Sequence, residues 1–123
     1  MRISLLAIAL LFATVAQAQT PKLVTPPLLG DTGGSAVCAG VNLDKKARDI
    51  SVSLFNDQGT ALNTQQCSGL PSGHSCQASA SPGPQLVYCT VTATVKKQSL
   101  RLSIMIVDAT GMVTSTTAAG RED

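Results

Sequence analysis

Val87-Tyr88-Cys89-Thr90-Val91-Thr92-Ala93-Thr94-Val95 decides the fold class. Val87, Cys89, Val91, Ala93 and Val95 fall on one side of a period-two repeat, and Tyr88, Thr90, Thr92 and Thr94 on the other. Side chains alternate in this way on a strand with one buried and one wet face, whereas a helix would return apolar residues every three to four positions. The next apolar stretch repeats the rule, with Leu100, Leu102, Ile104 and Ile106 on one face and Arg101 and Ser103 on the other. Upstream, Ile50, Val52 and Leu54 alternate with Ser51, Ser53 and Phe55.

Turn chemistry separates these stretches. Asn56-Asp57-Gln58-Gly59 and Asp108-Ala109-Thr110-Gly111 each begin with a side-chain acceptor and end with a glycine able to take positive φ. Ser79 to Pro84 breaks the chain before residue 87, and Lys96-Lys97-Gln98 reads as a polar hairpin turn. Short strands at this spacing predict an all-β fold: a single small antiparallel β-sandwich, immunoglobulin-like, of six to seven strands. Residues 36–43 are apolar on both sides, so either Val37, Ala39, Val41 and Leu43 or Ala36, Cys38 and Gly40 could point inward.

The N-terminus carries an address. Met1-Arg2 is positive, Ile3 to Val15 is apolar apart from Ser4 and Thr14, and Ala16-Gln17-Ala18 matches the small-x-small cleavage pattern. The apolar run is shorter than the ~20 residues a membrane helix needs. Residues 1–18 therefore read as a cleaved signal peptide, with Gln19 the new N-terminus and a secreted or periplasmic destination. The mature chain of about 105 residues is one small domain without an interdomain cleft and without a membrane span. Residues 19–34 are a Pro/Gly-rich leader or edge strand, in which Lys22 to Thr25 could pair; 35–117 form the sandwich and 118–123 a flexible tail.

All four cysteines, Cys38, Cys67, Cys76 and Cys89, follow the signal. An even count in a small exported chain reads as two disulfides, with three connectivities open. Cys67 and Cys76 flank a run of turn residues that brings its ends together. Cys38 and Cys89 lie on strands that immunoglobulin-type sandwiches place in facing sheets. The expected pairs are Cys38–Cys89 and Cys67–Cys76, worth about 4 and about 2.7 kcal/mol in the loop-entropy treatment. Zinc would want ligands two to four residues apart, a spacing these cysteines and His74 do not offer.

Val37-Cys38-Ala39-Gly40-Val41-Asn42, Ser53-Leu54-Phe55-Asn56-Asp57-Gln58-Gly59, Val87-Tyr88-Cys89 and Leu100-Arg101-Leu102-Ser103, with Asp108, resemble stretches of small exported bacterial β-sandwich proteins without an assigned activity. The resemblance spans roughly residues 35–112 and implies architecture alone. Immunoglobulin domains proper bury a Trp, absent here, and set their corner tyrosine two residues before the second cysteine, whereas Tyr88 stands one before.

Composition argues against several functions. The formal net charge is +2, and loss of Arg2 with the signal lowers it, so no basic field exists for a nucleic acid. Aromatic residues are 2%, with no Trp, too few for a base- or sugar-stacking platform. Gly73-His74-Ser75-Cys76-Gln77 starts like a nucleophile elbow but ends in Gln77, and the chain's one histidine, His74, is too close in sequence to serve Ser75. Asp44, Asp49, Asp57 and Asp108 fall at strand ends, where aspartate caps turns. Asp31-Thr32-Gly33 lacks the lysine and helix of a phosphate cradle. Thr90, Thr92 and Thr94 are ordinary solvent-facing strand residues.

What remains is an exported, non-catalytic binding or structural module acting through its loops, without cofactor or metal, on a protein or surface partner. A small secreted inhibitor or effector is the alternative, and an enzyme a distant third. The candidate contact residues are Lys45, Lys46, Pro71, His74, Lys96, Lys97 and Arg101, on turns expected to gather at one end of the sandwich.

Overall fold

The structure, a computed structural model, describes residues 23–93 and 99–119. It is all-β with two antiparallel sheets: β1 (Leu23–Val24), β2 (Leu28–Leu29), β3 (Ser35–Asn42), β4 (Arg48–Asn56), β5 (Ala61–Leu70), β6 (Ser75–Ala80), β7 (Leu86–Ala93), β8 (Leu100–Val107) and β9 (Val113–Ala118). One sheet runs β1-β7-β4-β5, with β2 also on β7; the other runs β6-β3-β8-β9. The seven longer strands match the number expected. The two short ones lie in the Pro/Gly-rich segment, where Leu23 pairs with Val91 and Leu28 with Val87.

The core contains the apolar set that alternation points to, with one departure: Thr90, expected to face solvent, is also buried, between Val24 of β1 and Ser53 of β4. Ile50, Val52 and Leu54 from β4 and Val87, Cys89, Val91 and Ala93 from β7 face Leu100, Leu102, Ile104 and Ile106 of β8. The open choice on β3 is resolved in favour of Ala36, Cys38 and Gly40 as the inner face. Gly40 shows why the fit is close. A Cβ there would stand 2.8 Å from Val52 Cγ2 and 3.4 Å from Val91 Cγ2, so the facing sheet packs directly on its backbone. The outer residues Val37, Ala39 and Val41 are half-buried, flanked in the sheet by β6 and β8.

Both expected disulfides are present, and both join the two sheets. Cys38–Cys89 links the central strands β3 and β7, and Cys67–Cys76 links the edge strands β5 and β6. Both predicted turns form, and they share one hydrogen-bond scheme. Asn56 Oδ1 accepts from the amides of Gln58 and Thr60, and Asp108 Oδ1 from those of Thr110 and Met112. Gly59 and Gly111 supply the positive φ, at 77° and 89°.

Three further expectations need correction. β7 and β8 do not pair as a hairpin, because they lie in different sheets; the turn expected at Lys96-Lys97-Gln98 lies outside the described residues. Strand G of an immunoglobulin domain pairs with F, but here β1 and β2 hold that edge of β7 and β8 joins β3 instead. Thr25 seals that edge: its amide donates to the Cys89 carbonyl and its hydroxyl accepts from the Cys89 amide, both at 2.9 Å. The aspartates are also not uniformly turn caps. Asn56 rather than Asp57 caps its turn, and Asp49 lies within β4, where it accepts from the Gly69 amide at 2.8 Å across the bulge between β4 and β5.

Candidate functional site

The chain crosses repeatedly between the sheets, and three of its crossings gather at one end. The links β3–β4, β5–β6 and β7–β8 all leave the sandwich where Asn42, Leu70 and Leu100 end or begin their strands. Asn42 continues the inner face of β3 and is fully buried. A buried amide needs its hydrogen bonds made, and Asn42 makes them to two different loops. Its Nδ2 donates to the carbonyls of Lys46 (3.0 Å) and Leu70 (2.9 Å), and its Oδ1 accepts from the Asp44 amide (2.9 Å). Its backbone accepts from the Gly73 amide at 2.6 Å and donates to the His74 carbonyl at 3.1 Å. The next residue, Leu43, donates to Ser99 at 2.8 Å and so ties in the end of the third link.

The loop 71–74 is itself a tight turn, with the His74 amide donating to the Pro71 carbonyl and Gly73 at φ 79°. Cys67–Cys76 closes just outside it. In the loop 43–47, Asp44 accepts from the Lys45 amide and pairs with Arg48 at 2.6 Å. The Arg48 hydrogen bond is the main reason the Asp44 carboxyl sits below its usual range.

The structure thus brings together Lys45, Lys46, Pro71 and His74, all exposed, on a rigid frame. Arg101 is exposed on the outer face of β8 opposite Val41, near the same end. Lys96 and Lys97 lie outside the described residues. Arg48 is partly neutralised by Asp44, so the positive charge presented by the loop 43–47 comes from Lys45 and Lys46. Among the described residues no group of three or more histidines, cysteines or carboxylates is placed to hold a metal. The arrangement offers exposed cations and a stiff turn to a partner's surface. Sequence reasoning missed Asn42 as the organiser. Its one trace is a polar side chain at the end of the Ala36-Cys38-Gly40 face, which stands out only once that face is known to be inner.

Fold and site together define a small β-sandwich stapled by two inter-sheet disulfides and carrying its ordered loops at one end. No protein-family model matches the sequence, and no curated protein is similar to it in sequence. Among solved structures, the crystal structure of Thermotoga maritima 1070 is similar at a TM-score of 0.57 and 12% identity, covering 85% of this chain and 97% of that one. At that identity the likeness concerns the fold alone.

Proposed function

We propose that this chain is an exported, non-catalytic binding module that engages a protein or surface partner through the loops 43–47 and 71–74. The observation that carries the reading is the Asn42 network, which holds two charge-bearing or turn-forming loops in one arrangement before any partner arrives. Such pre-organisation lowers the ordering cost of association. Export to the periplasm or cell exterior is part of the proposal. It is supported by the Met1 to Ala18 pattern and by two disulfides, which persist in oxidising compartments. Among the described residues, no helix is long and apolar enough to cross a membrane. The Cys67–Cys76 staple beside Pro71 also suits the second reading, an inhibitor that presses a stiff loop into a partner's site.

The test is affinity capture from the envelope and culture-medium fractions, with immobilised protein beginning at Gln19. A retained partner that is lost when Lys45 and Lys46 are both changed to Glu, with the melting temperature unchanged, supports the reading. A purified hydrolytic activity abolished by His74→Ala or Ser75→Ala overturns it in favour of an enzyme.

A further inference from the structure

A two-sheet sandwich has four edges, and an unpaired edge is a template for another strand unless something blocks it. Three of the four are blocked here by identifiable devices. The β1/β2 edge is two residues long on either side of Pro26-Pro27, which cannot donate to an incoming strand. The β5 and β6 edges are tied to each other by Cys67–Cys76 and by Asn63 Nδ2 donating to the Ser79 carbonyl at 2.8 Å. The β5 edge is further bent by register shifts at both ends of its pairing with β4.

The fourth edge, β9, has none of these over its regular part. Its register shift lies at the start, between the pairs Ile106–Ser115 and Val107–Val113, leaving residues 115–118 in unbroken register with β8. Ala119 extends that register by donating to the Leu102 carbonyl at 3.0 Å. Hydrogen-bonded pairs alternate along an antiparallel ladder. Ser115 and Thr117 therefore share the inward role of Ala119, and Thr116 and Ala118 turn their N–H and C=O groups away from β8. The stretch Ala109 to Gly120 contains no ionisable residue and no proline. At the same edge Met112 and Val113 leave 68% and 55% of their surface exposed, the former being the most exposed large apolar side chain among the described residues.

We infer that β9 is a self-association edge, pairing antiparallel with β9 of a second copy about a two-fold axis at Thr117. In that register Thr116 of each copy faces Ala118 of the other, which satisfies the outward groups of both with about four backbone hydrogen bonds. Thr117 meets its own symmetry mate, a cross-strand threonine pair of the favourable kind. A neutral segment meets itself without like-charge opposition, the feature that favours a second copy over a charged partner strand. An interface of this kind is isologous and closes at two copies, joining two four-stranded sheets into one.

Sedimentation velocity on the purified protein, followed over rising concentration up to roughly 1 mM, the weak end of specific association, reads the result. The expected outcome is a sedimenting mass that doubles reversibly, while the Thr116 and Ala118 amides gain hydrogen-exchange protection as it does and Ser115 and Thr117 stay protected throughout. Thr116→Lys places two ammonium groups diagonally across the axis and Thr116→Pro removes an outward donor without touching the β8 ladder. Both are expected to leave a monomer, and Thr116→Lys to keep the melting temperature of the monomeric fold. A mass of one protomer at every concentration overturns the inference, as does a dimer that persists in Thr116→Lys.

Discussion

Asn42 Nδ2 lies 2.9 Å from the carbonyl of Leu70, so the last residue of β3 holds the last residue of β5 in the facing sheet. This amide does at the open end of the sandwich what the two disulfides do within it: it connects the sheets. The same side chain reaches Lys46 and Asp44, so the positions of both candidate binding loops depend on one buried group.

Asn42→Ala removes two donors and an acceptor from a buried place and leaves the Leu70 and Lys46 carbonyls short of a partner. Each buried polar group so orphaned costs about 1–3 kcal/mol. Chemical denaturation should show a loss of about 2–4 kcal/mol by that standard. Amide exchange should quicken first at Asp44, whose N–H bonds the Asn42 side chain directly. Unchanged exchange at Asp44 would contradict the role assigned to Asn42.

Strand register on β8 can be checked by a neighbouring pair. Ile104 is fully buried and Ser103 lies on the outer face. Ile104→Ala should cost about 2–5 kcal/mol as a core truncation, and Ser103→Ala should stay within about 0.5 kcal/mol as a surface change. Equal effects in urea melts would mean that the register is wrong.

Gly40 lies on the inner face of β3, where Val52 and Val91 of the facing sheet pack on its backbone. Gly40→Ala puts a methyl group 2.8 Å from Val52 Cγ2, and overpacking of this sort costs about 1–3 kcal/mol. The double change Gly40→Ala with Val52→Ala should recover part of that loss, because the obstructing methyl is gone. Recovery in thermal melts, relative to Val52→Ala alone, is the measurement.

Acid should act on the turn after β8. The Asp108 carboxyl is held below its usual range, first by the Thr110 hydroxyl and then by the Met112 amide. A group whose folded pKa is lowered stabilises the fold fully above its unfolded pKa of about 3.9, and that contribution disappears as pH falls through the lowered value. Asp44 follows the same direction through Arg48. Melting temperature should therefore fall below about pH 4. In Asp108→Asn the fall should be shallower while the turn is kept, since Asn56 supports the equivalent turn without a charge.

Much of this was readable from the chain. Period-two alternation names the buried apolar residues of β4, β7 and β8, though not the buried Thr90, because a strand's side chains have only two directions to take. The turns at Asn56 and Asp108 were legible because their geometry is set within five residues by one acceptor and one glycine. The strand β5 was not legible: Ala61 to Leu70 is an edge strand largely exposed on both faces, so its sequence carries no alternation.

Three matters waited for the tertiary structure. Residues 36–43 are apolar on both sides, and the inner face is the one that joins Cys38 to Cys89 and lays Gly40 against Val52 and Val91. Alternation states which residues share a face but not which sheet a strand joins, because backbone hydrogen bonds are the same for every sequence. Thus β8 joins β3, and the edge of β7 is held by β1, β2 and Thr25. The role of Asn42 depends on carbonyls 4 and 28 residues away, and no local pattern records where a distant loop will place its carbonyl group.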